Sequence, residues 1–127
     1  MKTSLYLQAM RLEPQEPSYP WNLASSMGRL GQHHLALAFI EQAITMAHAT
    51  GDEEWSDTYA HIAWADVAMR AEQWMVTLIA LATAWRLVGD EEGRRDVRRL
   101  KAEIARRSAR ASNGDVHLLT ELRSLIA

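Results

Sequence analysis

The 127-residue sequence contains no cysteine, only three prolines and a single phenylalanine. The lack of cysteine excludes disulfides and thiolate metal ligands and leaves the redox compartment undetermined. No apolar run reaches the roughly 18 residues of a membrane-spanning helix. The first residues also lack the apolar stretch of a secretory signal. These absences predict a cytoplasmic protein with no membrane partner.

The composition that is present fits one globular domain, but its charge is unevenly distributed. Hydrophobic residues make up 48% of the chain and charged residues 24%, and the net charge is −2. Residues 1–92 hold 5 basic residues against 12 acidic ones, whereas residues 93–110 hold 8 against 2. Of the 14 basic residues only Lys2 and Lys101 are lysine. Arginine suits bidentate contacts with carboxylate or phosphate.

The tetrapeptide Gly-Asp-Glu-Glu occurs twice, starting at Gly51 and at Gly89. Glycine can end a helix in the left-handed conformation. Aspartate accepts hydrogen bonds from the first amides of the next helix, and glutamate suits the positive end of the helix dipole. We therefore expect Gly51 and Gly89 to close helices, and Asp52 and Asp90 to open the ones that follow.

Apolar residues recur at helical spacing along the chain, and no segment alternates in the manner of a strand. The fold class is therefore predicted to be all-α, an antiparallel helix-turn-helix stack of about seven helices. The predicted helices are a first one that Glu13 and Pro14 end, then 18–30, 33–49, 53–70, 73–88 and 91–111, and a last one that Asp115 caps.

Alanines, one glycine and larger apolar residues recur in a regular pattern through the middle of the chain. The pattern consists of Asn22-Leu23-Ala24, Leu30-Gly31, Ala36, Ile40, Ala43, Trp64-Ala65, Ala68, Trp74, Thr77, Leu81 and Ala84. This pattern resembles the tetratricopeptide repeat, a helix-turn-helix unit with small residues where its helices cross. Ala9 and Ala43 are 34 residues apart, the period of that family. Ala43 and Ala84 are 41 apart, which resembles its longer variety, in which Gly-Asp replaces the closing proline.

The resemblance organises the chain as a single domain, 1–127. The second full unit departs from the family pattern, because Glu72 stands near the expected glycine and Thr77 replaces an alanine. The predicted parts are a half repeat at 1–14, a repeat at 18–50, a longer repeat at 53–90, and a degenerate repeat or capping helices at 91–127.

A concave groove lined by the first helix of each pair is what the resemblance implies, and it commonly holds a peptide or another helix. The predicted groove residues are Trp21, Asn22, Ser25, Arg29, Tyr59, Ile62, Asp66 and Arg70. The family often places at the position of Asn22 an asparagine that bonds a peptide backbone. Arg29 and Arg70 are 41 residues apart and favour an acidic partner. Alternatively, both arginines are solvated residues at helix ends.

The sixth helix is rich in arginine: Arg94, Arg95, Arg98, Arg99, Arg106, Arg107 and Arg110. Three interpretations are open for this basic helix. It could contact nucleic-acid phosphates, dock an acidic protein, or form a solvated face that pairs with Asp90-Glu91-Glu92. The absence of aromatic residues from 86 to 127 leaves no platform for base stacking and makes nucleic acid the weaker interpretation.

No motif for catalysis, a cofactor or a metal appears. The sequence has no glycine-rich phosphate loop, nucleophile elbow or cysteine nucleophile. His33 and His34 are adjacent and diverge on a helix, and no His-Glu-x-x-His pattern occurs. We therefore predict a protein that is not an enzyme and that uses no cofactor or metal.

The ends of the chain suggest association. The first helix is half a unit and lacks a partner, and the last has apolar residues at 116, 118, 119, 122, 125 and 126. Such patches commonly mark interfaces, although the last helix could instead cover the core. The predicted function is non-catalytic binding of an acidic or mixed peptide. The alternatives are self-assembly as a homo-oligomer through the terminal helices and, second, a nucleic-acid-binding adaptor that uses residues 94–110.

Overall fold

Helices make up nearly all of the described chain, as the apolar periodicity predicts. The computed structural model describes residues 2–13, 16–51, 58–110 and 124, and no strand occurs in those ranges, which confirms the all-α class. Apart from Ser124, the predicted seventh helix lies outside the described residues, as do Asp52 and residues 53–57 of the predicted fourth helix. The six helices in these ranges are α1 (Lys2–Leu12), α2 (Ser18–Arg29), α3 (His33–Thr50), α4 (Thr58–Arg70), α5 (Trp74–Leu87) and α6 (Glu91–Arg110).

The helices form two compact units that divide between Ser56 and Asp57. Unit 1 contains α1, α2 and α3, and unit 2 contains α4, α5 and α6. None of the helices in the described ranges is both long and apolar enough to cross a membrane.

Unit 1 is held together by the packing of α2 against α3, with α1 lying on α2. Leu23 on α2 and Ala43 and Ala47 on α3 have no exposed surface. Alanine at these positions lets the two helix backbones approach closely, while leucine and isoleucine side chains fill the remaining space. The alanines of the sequence pattern on α2 and α3, Ala24, Ala36 and Ala43, are all buried.

Unit 2 is built from the α4–α5 pair, with α6 packed against both helices. Its core has alanines at the α4–α5 contact and larger side chains around them. The residues that α6 contributes, Val97, Leu100 and Ile104, are the thin apolar stripe of an otherwise charged helix, and all three are buried. The core residues are Ala65, Met69, Leu78, Ala80, Leu81, Ala84, Val97, Leu100 and Ile104.

The turn that joins α2 to α3 and the turn that joins α4 to α5 have the same hydrogen bond, at positions 41 residues apart. The Gln32 N–H donates to the carbonyl of Met27 at 2.9 Å, and the Gln73 N–H donates to the carbonyl of Ala68 at 2.9 Å. The residue before each glutamine has a left-handed backbone. This residue is Gly31 in unit 1, with φ 76°, and Glu72 in unit 2, with φ 57°. The chain therefore forms the turn in unit 2 without the glycine that makes it easy to form in unit 1.

Replacement of Glu72 by glycine is expected to raise the free energy of unfolding by about 1 kcal/mol, because side chains with a Cβ are disfavoured in this conformation. Urea denaturation followed by circular dichroism measures the change. Glu72→Ala is the matched control, because it removes the carboxylate and keeps the Cβ. An equal gain in both variants would mean that backbone strain is not the cause.

The two Gly-Asp segments end their helices differently. Gly51 follows α3 with φ 72° and ψ 23°, the left-handed conformation that was predicted. The same prediction is wrong for Gly89, since Gly31 and Gly51 are the glycines of positive φ in the described ranges. Instead α5 ends where Val88 adopts an extended backbone, with φ −66° and ψ 131°. A switch to extended backbone stops a helix without any left-handed residue.

The start of α6 was predicted correctly. The structure of this helix start also explains why a glycine, Gly93, lies inside α6. The Asp90 carboxylate caps α6 by accepting a hydrogen bond from the Gly93 N–H at 2.7 Å. A Cβ on Gly93 would lie 2.5 Å from Val88 Cγ2 and 2.9 Å from Asp90 Oδ1. Gly93 therefore makes room for both the capping carboxylate and the valine that ends α5.

A candidate binding groove between α4 and α6

The helices α4 and α6 run in the same direction with an open seam between them. Thr58, at the start of α4, borders the same cleft as Asp90 and Glu92 at the start of α6. Arg70, at the end of α4, borders a cleft with Arg107 near the end of α6. Three adjoining clefts follow this seam and together form the α4/α6 groove.

The middle cleft has a volume of about 390 Å³. Its α4 wall consists of residues at helical spacing, which places them on one side of the helix. All four groove residues that the sequence pattern predicted on the fourth helix line this cleft. The lining is Tyr59, Ile62, Asp66 and Arg70 from α4 and Asp96, Arg99, Leu100 and Glu103 from α6.

The cleft at the helix starts has a volume of about 330 Å³ and is acidic. Asp90, Glu92 and Asp96 line it together with the Thr58 end of α4. Carboxylates are favourable there, because α6 presents the positive end of its dipole. This end of the groove therefore offers acceptors to a basic group.

The cleft at the helix ends is smaller, about 190 Å³, and is predominantly basic. Arg70, Arg107 and Arg110 line it with a single carboxylate, that of Glu72. Met69 and Trp74 complete the lining with apolar surface. The groove thus has carboxylates at one end and arginines at the other.

Two of these arginines are already held by carboxylates of their own helices. Arg70 Nε donates to Asp66 Oδ2 at 3.2 Å, and Arg107 Nε donates to Glu103 Oε1 at 2.9 Å. Both bonds engage Nε, and the terminal nitrogens of a guanidinium carry four further N–H donors. The hydrogen bond from Arg107, followed by the one from Arg106, lowers the pKa of Glu103, so the carboxylate that positions Arg107 stays ionised.

The other four predicted groove residues lie on α2. Trp21 and Asn22 are half-buried there, and Ser25 and Arg29 are exposed. Arg29 Nη2 donates to Ser26 Oγ at 3.3 Å. These residues belong to unit 1, whereas the α4/α6 groove is formed entirely within unit 2.

The arginines of α6 divide among several directions and do not form one basic face. Glu91 pairs with Arg94 at 3.6 Å and with Arg98 at 3.4 Å. The Arg98 guanidinium also lies 5.5 Å from the ring centre of Trp85 on α5, a cation–π contact. Further along the helix, Arg99 pairs with Asp96, and Arg106 and Arg107 both pair with Glu103.

The sequence interpretation missed the contribution of α6 to the groove. Asp96, Leu100 and Glu103 were not among the predicted site residues, although they line the middle cleft. The available signal was their spacing of three to four residues, which places them on one side of a helix. The many arginines of α6 make this spacing difficult to recognise in the sequence.

Within the described ranges, no cluster of three or more His, Asp or Glu side chains has the arrangement needed to hold a metal ion. Comparison of the chain with protein-family models, curated proteins and solved structures gives no significant match. The function is therefore inferred from the chemistry of the groove.

Proposed function

We propose that the chain is a non-catalytic interaction module, similar to a tetratricopeptide repeat, whose α4/α6 groove binds a peptide or helix of a partner protein. The observation that carries this proposal is that all four predicted α4 residues border one cleft with α6. Tyr59 is 71% exposed and Ile62 is half-buried, so an apolar contact surface lies among charged side chains. A partly apolar centre with a polar rim is the usual anatomy of a protein interface.

The charges of the groove support a partner that carries both signs. An acidic partner was expected from Arg29 and Arg70, and Arg70 does line the middle cleft. The same cleft contains the carboxylates of Asp66, Asp96 and Glu103. An acidic group on the partner would meet the arginine end of the groove, and a basic group would meet the carboxylates. The mixed charge of α6 supports a protein partner over nucleic acid.

Display of a random peptide library against the full-length chain tests this proposal. Ile62→Glu is expected to weaken the selected binders at least tenfold, because it places a charge on the apolar part of the groove. Ile79→Glu is the matched control, since Ile79 is 54% exposed on α5 and does not line the groove. Binders that Ile62→Glu leaves unaffected, or a library that yields no binder, would contradict a binding groove on α4 and α6.

Self-assembly is a second candidate function, favoured by the exposed leucines of α1. Leu5 is 61% exposed and Leu12 is 83% exposed. They are seven residues apart and lie on the same side of the helix. Apart from Ser124, the predicted C-terminal helix, the other part of this interface, lies outside the described residues. Light-scattering mass on a sizing column separates the two functions, because a monomer leaves the groove as the working surface.

A further inference from the structure

The two ends of the α4/α6 groove carry opposite charges. Asp90, Glu92 and Asp96 stand at one end, and Arg70 and Arg107 stand at the other. The α4 wall from Tyr59 to Arg70 covers eleven residue-to-residue steps of helix, or about 17 Å at the standard rise. A ligand that lies along the groove therefore meets opposite charges at its two ends.

We infer that the groove takes an amphipathic helix of about three turns that runs antiparallel to α4 and α6. Its first turn is acidic and lies at the arginine end, and its last turn is basic and lies at the carboxylate end. This inference rests on the proposed function and specifies the class of partner and its direction. The occupant is a helix of another protein, identified by its order of charges.

The direction follows from two electrostatic effects that agree. Acidic residues in the first turn and basic residues in the last turn stabilise a helix through its own dipole. When such a helix runs antiparallel to α4 and α6, its acidic turn also meets Arg70 and Arg107, and its basic turn meets Asp96. In the parallel direction the same helix would place like charges together at both ends, which is strongly unfavourable.

A helical partner is stabilised both by its own dipole and by the charges of the groove, whereas an extended peptide is stabilised by the charges of the groove alone. An extended chain covers about 17 Å in roughly five residues and has almost no dipole along its length. A helix of three turns covers the same distance and presents an apolar stripe with a spacing of three to four residues. That stripe would contact Ile62 and Tyr59 in the middle cleft.

The arginine end is already organised to receive a carboxylate. The bonds from Arg70 Nε to Asp66 and from Arg107 Nε to Glu103 hold the two guanidinium groups in place. Side chains that are held before binding lose less conformational entropy when the ligand arrives. The terminal nitrogens of both arginines can then donate to an acidic first turn without breaking those bonds.

A display library of 14-residue amphipathic helices tests the inference on the full-length chain. The charged positions of the first and last turns are randomised independently to Glu or Lys, so both charge orders start at equal frequency. Wild type is expected to enrich the Glu-first, Lys-last order at least tenfold over the reverse order. Acidic-first helices are intrinsically more helical, so the double variant Arg70→Gln, Arg107→Gln must be selected in parallel.

The double variant is expected to lose most of the tenfold preference, because Arg110 is then the one arginine left in the cleft at the helix ends. Arg86→Gln, Arg95→Gln is the matched control and should keep it, since it removes the same charge from exposed positions that do not line the groove. Circular dichroism confirms that each variant is folded.

Four results would overturn the inference. Binders that depend on Ile62 but show no charge order contradict the direction and leave the proposed function intact. Equal preference in wild type and in the Arg70→Gln, Arg107→Gln variant would trace the order to the peptides themselves. A library without any binder, or a dimer that occupies the groove with a second copy, contradicts both the inference and the proposed function.

Discussion

Replacement of Leu81 by alanine is expected to lower the free energy of unfolding by about 2–5 kcal/mol. Leu81 has no exposed surface, and it lies in the core cluster to which α4, α5 and α6 all contribute. The substitution removes buried methyl groups, and a closely packed core relaxes only partly into the space that they leave. The cavity adds to the lost transfer free energy, so the effect should lie well above that of a surface substitution.

Ile79→Ala is the control for this prediction, because Ile79 lies two residues earlier on α5 and is 54% exposed. Its expected effect is within about 0.5 kcal/mol. Urea denaturation of both variants and of wild type, followed at 222 nm, measures the difference. Similar losses at the two positions would mean that α5 is not buried on the side that carries Leu81.

Gly93→Ala is expected to destabilise the protein by about 1–3 kcal/mol, although the same exchange inside a helix ordinarily stabilises by about 0.5–1 kcal/mol. The reason is the position at which a Cβ would lie, 2.5 Å from Val88 Cγ2 and 2.9 Å from Asp90 Oδ1. Relief of these contacts would displace the valine that ends α5 or the carboxylate that caps α6. Either movement loses a native interaction.

Gly28→Ala provides the comparison, because Gly28 is also inside a helix and a Cβ there would have no atom within 4 Å. It is expected to raise the free energy of unfolding by about 0.5–1 kcal/mol, which is opposite in sign to the change expected at Gly93. Thermal denaturation of the two single variants reveals the difference in sign. A gain in stability at both positions would show that the Val88–Gly93 contact adjusts without cost.

The helices were predictable because local signals define them. The apolar stripe of Val97, Leu100 and Ile104 is visible in the sequence, and the same side chains are buried in the structure. Gly51 ends α3 in the left-handed conformation, as a glycine at a helix end commonly does. Gly89 did not follow that rule, because α5 stops one residue earlier at the extended Val88. Sequence spacing does not reveal which of two neighbouring residues turns the chain.

The α4 wall of the candidate groove was predictable from the sequence, whereas the α6 wall was not. Tyr59, Ile62 and Asp66 follow from helical spacing within one segment, and the structure places them in one cleft. Asp96 and Glu103 become groove residues only because α6 packs beside α4 and parallel to it. That arrangement depends on tertiary packing between segments some 30 residues apart, which local periodicity does not contain.

The opposite charges at the two ends of the α4/α6 groove also have a kinetic consequence. Because Asp90 and Asp96 at one end are offset by Arg70 and Arg107 at the other, the field of the groove largely cancels at long range. A partner that binds as proposed would therefore not be drawn in from a distance, and its association rate should change little with ionic strength. Discrimination between partners would then lie in how long each one stays bound.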